Sequence, residues 1–208
     1  PAGSPVVGVD LDNTLATYDK LMHKVALELG MITEEIEPNK KFIRDAIRNS
    51  SKGDIEWQKL QGMVYGPRMD GALVAEGTVP FFQECKRREV QVFVVSHKTQ
   101  FANYDPTKTN LHHSAMKWMK DNKFFDADGF ALEPDNIFME ETRQAKLERV
   151  GQLGCEYFVD DLEEVFSEPD FPKGVQGILY HPESKQACPP GVQPATCWNE
   201  IREYIFGP

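Results

Sequence analysis

Two carboxylates two positions apart, Asp10 and Asp12, stand where an apolar run ends in Val6-Val7-Gly8-Val9-Asp10-Leu11-Asp12-Asn13-Thr14-Leu15. A run rich in β-branched residues reads as a strand buried on both faces. Acids at the end of such a strand must be paired, hydrogen-bonded or bound to a metal, because a desolvated carboxylate is costly. In open parallel sheets, ligands sit at the carboxyl ends of strands. A carboxylate there can attack phosphorus, and a second one can move the proton that the leaving oxygen needs. Strand alternation sends both side chains to one face. Asp and Asn also favour turns, so Asp12-Asn13-Thr14 taken alone reads equally well as a plain turn.

Three further features stand later in the chain. A second β-run, 90–95, ends in Ser96 and is followed by His97 and Lys98. Lys146 falls on a helical stretch, with Lys117 and Lys123 as rivals for the same role. A third β-run, 155–159, ends in Asp160-Asp161, where Asp161 could equally cap a helix beginning near Leu162-Glu163-Glu164. The order Asp-x-Asp-x-Thr, Ser, Lys, Asp-Asp resembles the haloacid-dehalogenase (HAD) superfamily of phosphotransferases, over roughly 5–182.

That resemblance implies a role for each residue. Asp10 would be the nucleophile and a Mg²⁺ ligand. Asp12 would be the general acid and base, with its backbone carbonyl also on the metal. Ser96 would hold a phosphoryl oxygen, with Asn13 and Thr14 also placed around the phosphate. His97 and Lys98, directly after Ser96, are close enough to touch the phosphate and read equally as residues of a solvated loop. Lys146 would offset the repulsion between nucleophile and phosphate. Asp160 would be a direct metal ligand and Asp161 a water-bridged or orienting partner. Dehalogenases of the superfamily lack an acid at the position of Asp12, so the resemblance disfavours hydrolytic dehalogenation.

The implied activity is a Mg²⁺-dependent phosphomonoester hydrolase acting on a small phosphorylated metabolite, a sugar phosphate or a nucleotide monophosphate. Phosphoryl transfer within a sugar phosphate uses the same residues, and free phosphate would distinguish the two. A non-catalytic phospho-ligand-binding protein is the contrasting reading, against which Asp10, Asp12 and Asp160 speak. Phosphonate cleavage would need a reactive lysine before the second strand, where Lys20, Lys24, Lys40, Lys41, Lys52 and Lys59 read as surface charges.

Net charge is −10 and the pI about 5.0, which argues against a nucleic-acid polymer or an anionic membrane surface as partner. An acidic chain can still take a phosphate where a cation offsets the repulsion, here Mg²⁺ and Lys146. No apolar run approaches the ~20 residues that cross a bilayer. Pro1-Ala2-Gly3-Ser4 lacks a starting Met and an apolar core, and reads as an appended or trimmed end rather than a secretory signal. The four cysteines form no C-x-x-C pair. Cys85 and Cys155 read as buried thiols, Cys188 and Cys197 flank a Pro-rich loop, and a reducing cytoplasm is the expectation.

The elements that must position these residues alternate between strand and helix, which indicates an α/β fold: a Rossmann-like three-layer core with a parallel sheet. Apolar spacing predicts helices over 18–29, 39–49 and 54–64, with Asp54 as a cap and no strand between them. They form an insertion after the first strand, which the resemblance identifies as a small all-helical cap over 17–76, leaving 5–16 and 77–208 as core. In the cap, Trp57, Gln61, Tyr65 and Arg68 are the residues to watch, with Arg68 able to read a second anion. Further helices are expected from 76, over 111–122, 142–153 and 196–206, and short strands near 136–139 and 177–180.

Overall fold

The structure, a computed structural model, describes residues 4–183 and 188–208; the reading of the first residues as an appended end falls mostly on 1–3, outside them. β1 (Val6–Val9) and β2 (Ala16–Thr17) precede α1 (Asp19–Glu28), α2 (Lys40–Arg48) and α3 (Gly53–Tyr65). A 3-10 turn at Met69–Gly71 leads to β3 (Leu73–Val74), α4 (Thr78–Arg87) and β4 (Gln91–His97). There follow α5 (Leu111–Asp121), β5 (Ile137–Glu140), α6 (Arg143–Gln152) and β6 (Tyr157–Asp160). The chain closes with α7 (Glu163–Ser167), β7 (Gln176–Tyr180), β8 (Gln193–Ala195) and α8 (Trp198–Phe206).

Six strands form one parallel sheet in the order β5-β4-β1-β6-β7-β8. β1 lies inside it, paired with β4 and β6, which is why its sequence is apolar without alternation. Its glycine has a packing reason. A Cβ on Gly8 would lie 2.8 Å from Phe158 Cδ2, so the Phe158 ring occupies the space a side chain would need.

One face of the sheet carries Phe93, Val95, Phe158 and Leu179, packed with Leu147 and Val150 of α6 and Val165 and Phe166 of α7. Alternation turns Tyr180 to the other face, where its ring meets Trp198 of α8, itself against Phe81 and Phe82 of α4. Helices therefore cover both faces, giving three layers. Among the described residues no helix is long and apolar enough to cross a membrane.

The chain separates into two compact units. The first comprises residues up to Leu15, Val74–Lys98 and Asn122–Pro208, and holds the sheet. The second comprises Ala16–Leu73 and Thr99–Asp121. In it α1, α2 and α3 pack on one another, and α5 joins α3 and the 3-10 turn. Thr99–Asp121 had been assigned to the core from sequence. It packs with the second unit because α5 buries Leu111, Ala115, Trp118 and Met119 there, and Trp118 Nε1 donates to Ala72 O at 3.0 Å.

Several local expectations are corrected. The region before α4 does contain strand, since β2 and β3 form a two-residue ribbon. Asp54 does not cap α3, which starts at Gly53 after Lys52 and has no side-chain cap; Asp54 pairs with Arg48 instead. The helix expected from 39 begins at Lys40, with Asn39 as its cap accepting from the N–H groups of Lys41 and Phe42. α7 matches the short helix that Leu162-Glu163-Glu164 suggested, whereas β8 has no counterpart in the sequence reading. Both are too short to show a period.

Candidate active site

Because β4, β1 and β6 are neighbours in a parallel sheet, their carboxyl ends bring Ser96, Asp10 and Asp160 to one edge. Asp10 still belongs to the sheet by its backbone, donating from N to Val159 O at 2.9 Å. The chain then turns sharply. Leu11 O accepts from Thr14 N at 3.3 Å and Leu15 N at 2.9 Å, and Asn13 adopts a left-handed conformation with φ of 64°. Asn tolerates that region better than most residues with a side chain. The turn reading and the reactive reading of Asp12-Asn13-Thr14 thus describe one object.

Asp10, Lys146 and Asp160 are buried together. Lys146 Nζ donates to Asp10 Oδ1 at 2.7 Å and to Asp160 Oδ2 at 2.5 Å. Neither Lys117 nor Lys123 competes, since each pairs with an aspartate of its own neighbourhood, Asp121 and Asp128. Burial pushes the Asp10 carboxyl up to about 7 against the pull of Lys146, with Asp160 and Asp12 adding to the rise. Burial alone would weaken the Lys146 ammonium, but the two carboxylates outweigh it and raise its pKa.

Asp161 completes a cluster. One carboxylate oxygen from each of Asp10, Asp160 and Asp161 lies within 4.8 Å of the others. Such an all-oxygen donor set suits a hard divalent cation such as Mg²⁺ rather than a softer metal. Two hydroxyls stand beside these strand ends, Thr14 in the turn after β1 and Ser96 on the adjacent β4: Thr14 Oγ1 and Ser96 Oγ are buried with no hydrogen-bond partner. A buried hydroxyl left in that state costs free energy unless a ligand meets it. The donor set and the two hydroxyls fit a cation together with an anion rich in acceptor oxygens.

No protein-family profile and no curated protein matches the sequence. Solved structures do match. A HAD-superfamily hydrolase of Geobacter sulfurreducens, subfamily IA, aligns with a TM-score of 0.58 at 16% identity, covering 98% of each chain. A HAD hydrolase of Bacillus subtilis, bound to magnesium, aligns at 0.57 and 11% identity over 98% of this chain and 99% of its own. A protein described as a dehalogenase aligns at 0.56 and 9% identity over 100% and 99%. The fold is that of the HAD superfamily.

Within this HAD fold the remaining expected residues fall in several places. His97 follows Ser96 on β4 and by alternation points to the opposite side of the strand; it is exposed and its pKa is lowered by partial burial and by Lys146. Asp161 does not cap α7: Asp160 Oδ1 accepts from Leu162 N at 2.9 Å, and Leu162 is the cap residue. The four residues singled out in the helical insertion are accounted for within the second unit. Trp57 is buried core, and Tyr65 meets Tyr18 edge to face at 4.7 Å. Gln61 is half-buried on α3. Arg68 forks onto Glu28, so its guanidinium is engaged by a carboxylate rather than offered to an anion. Cys85 and Cys155 are buried thiols raised to about 12 and about 11 by burial; Cys188 and Cys197 are also free thiols.

One residue outweighs its sequence signal. Lys98, two positions after Ser96, is buried, and its Nζ donates to Asp12 Oδ2 at 2.7 Å. Its place just after Ser96 suggests a contact with the phosphate; the bond to Asp12 is not visible in the sequence.

Proposed function

We propose that this chain is a Mg²⁺-dependent phosphomonoester hydrolase that works through an aspartyl-phosphate on Asp10. One observation carries the reading: Asp10, buried at the end of β1, meets Lys146 while Asp160 and Asp161 hold a carboxylate oxygen each within 4.8 Å. Asp10 Oδ attacks phosphorus and the ester P–O bond breaks. The electron pair leaves with the alkoxide oxygen, which takes its proton from Asp12. A water oxygen then attacks the aspartyl-phosphate, gives its proton to Asp12, and releases Asp10 with inorganic phosphate. Lys146 lowers the repulsion between the carboxylate and the approaching phosphoryl group, and Ser96 and Thr14 offer hydroxyls to its oxygens.

Asp10, Asp161 and the backbone of Asp12 would hold the Mg²⁺, with Asp160 behind them. When bound, the ion supplies neutralising charge at the phosphoryl oxygens. Asp160 stands behind because both its oxygens are already engaged, by Lys146 and by Leu162 N. The strand-end position of Asp160 in the sequence ranks the two aspartates the other way.

The substrate is a small phosphorylated metabolite. The magnesium in the Bacillus subtilis structure supports the choice of ion. The neighbour described as a dehalogenase supports a second reading, hydrolysis of a haloacid on the same nucleophile. Halide departs without a proton, so that reaction gives Asp12 nothing to protonate, and the phosphate reading is preferred. A panel of phosphorylated metabolites and haloacids, with Mg²⁺ and with chelator, tests both. Phosphate release that needs Mg²⁺ and vanishes in a folded Asp10→Asn variant is expected; halide release without phosphate release would overturn the proposal.

A further inference from the structure

Lys98 lies outside the set of residues that the hydrolytic reading requires, while its partner Asp12 lies within it. Lys98 is the last residue of the first unit before Thr99 begins the second, so its surroundings could have been those of a solvated loop lysine. Instead its side chain is 3% exposed, against 16% for Asp12, and the ammonium sits 2.7 Å from Asp12 Oδ2. Its backbone is also fixed, donating from N to Glu140 O of β5 at 2.9 Å. Two residues apart on an extended segment, Ser96 and Lys98 face the same side, which puts the ammonium on the side of the phosphate-facing hydroxyl. Burying an ammonium is costly, and the cost is met here by one carboxylate of the reacting pair rather than by a surface partner.

We propose that Lys98 is a positioning residue for the reaction, holding the Asp12 carboxylate in the rotamer from which it delivers and recovers the proton. The proposal rests on the hydrolytic reading of the site. Lys98 does not touch phosphorus and is not needed for Asp10 to attack. Its effect is confined to the proton transfers, where misplacing a catalytic group by about 1 Å can cost on the order of 100-fold. The alternative for a buried lysine at this place is a direct contact with substrate phosphate, which would act on binding of every substrate alike.

Two substrates separate these. An alkyl phosphate such as glycerol phosphate needs a protonated leaving oxygen, and nitrophenyl phosphate hardly does. With Mg²⁺ saturating, Lys98→Met should lower kcat on glycerol phosphate by about 10- to 100-fold and on nitrophenyl phosphate by no more than about 3-fold, with KM unchanged on both. Lys98→Arg, which keeps the buried cation, should show an intermediate loss confined to the alkyl substrate, and it carries the test if Lys98→Met does not fold. Independently of activity, the ¹⁵N-labelled Lys98 ammonium should give a solvent-shielded NMR resonance that moves or broadens away in Asp12→Asn. Equal losses on both substrates, a rise in KM, or a Lys98 resonance indifferent to Asp12→Asn would overturn the proposal. Wild-type protein that releases phosphate from neither substrate nor from any member of the phosphorylated-metabolite panel would overturn the hydrolytic reading itself, and this inference with it.

Discussion

Lys146 and Asp10, 136 positions apart in sequence, meet through a 2.7 Å hydrogen bond between a buried ammonium and a buried carboxylate. The same ammonium reaches Asp160 at the end of the neighbouring strand. Two carboxylates thus share one cation at the sheet edge. Lys146 therefore links α6 to β1 and β6 as well as serving the proposed chemistry.

Lys146→Met should destabilise the protein, because it strips a buried ion set of its cation while leaving both carboxylates in place. Removing one partner of such a set costs about 3–5 kcal/mol. Adding Mg²⁺ should restore part of the loss, since an ion that binds only the native state stabilises it. Urea unfolding at neutral pH, with and without Mg²⁺, measures both effects. A loss below about 1 kcal/mol would contradict the geometry.

Asp161→Asn should weaken Mg²⁺ binding more than Asp160→Asn does. The oxygens of Asp160 are held by Lys146 and Leu162 N, so its substitution disturbs orientation more than ligation. Calorimetric titration of the two variants decides the order, and a larger loss in Asp160→Asn would reverse it.

Mg²⁺ affinity should fall as the solution is acidified through about 7, where the metal-free Asp10 carboxyl holds its proton. Above that pH the group is already ionised and the cation meets a ready ligand. Below it, binding must expel the proton, so ion uptake releases up to one proton per site. Titration at pH 6 and pH 8.5 in buffers of different ionisation enthalpy reads this directly. Proton release that is the same at both pH values would remove Asp10 from the ligand set.

Asp12→Asn should damage an alkyl phosphate far more than an aryl one, by much of the 10²–10⁴-fold that general acid–base catalysis typically contributes. The aspartyl-phosphate on Asp10 should also accumulate, because the second step loses its base. Rapid acid quench of protein reacted with ³²P-labelled substrate would show the trapped phosphoryl group. Equal losses on both leaving groups would leave Asp12 a role in position only.

Much of this arrangement was legible in the chain itself. A continuous apolar run with β-branched residues marks a strand buried on both faces, so Val6–Val9 and its terminal acids could be read without a structure. Alternating strands and helices gave the three-layer parallel fold, and the order Asp10, Asp12, Ser96, Lys146, Asp160-Asp161 pointed to the chemistry. These are local or serial features, and side-chain period and motif order survive in one dimension.

Tertiary structure decided what depends on contacts between distant residues. Lys146 rather than Lys117 or Lys123 serves the site because α6 runs between β5 and β6 and directs its side chain to Asp10 and Asp160. Arg68 was lost as an anion reader because Glu28, 40 positions away, occupies it. α5 left the core for the helical unit because Trp118 found the carbonyl of Ala72. Lys98 gained its place for the same reason. A lysine after a strand looks solvated in sequence, and only the folded turn at Asp12–Asn13 brings a carboxylate close enough to keep its ammonium buried.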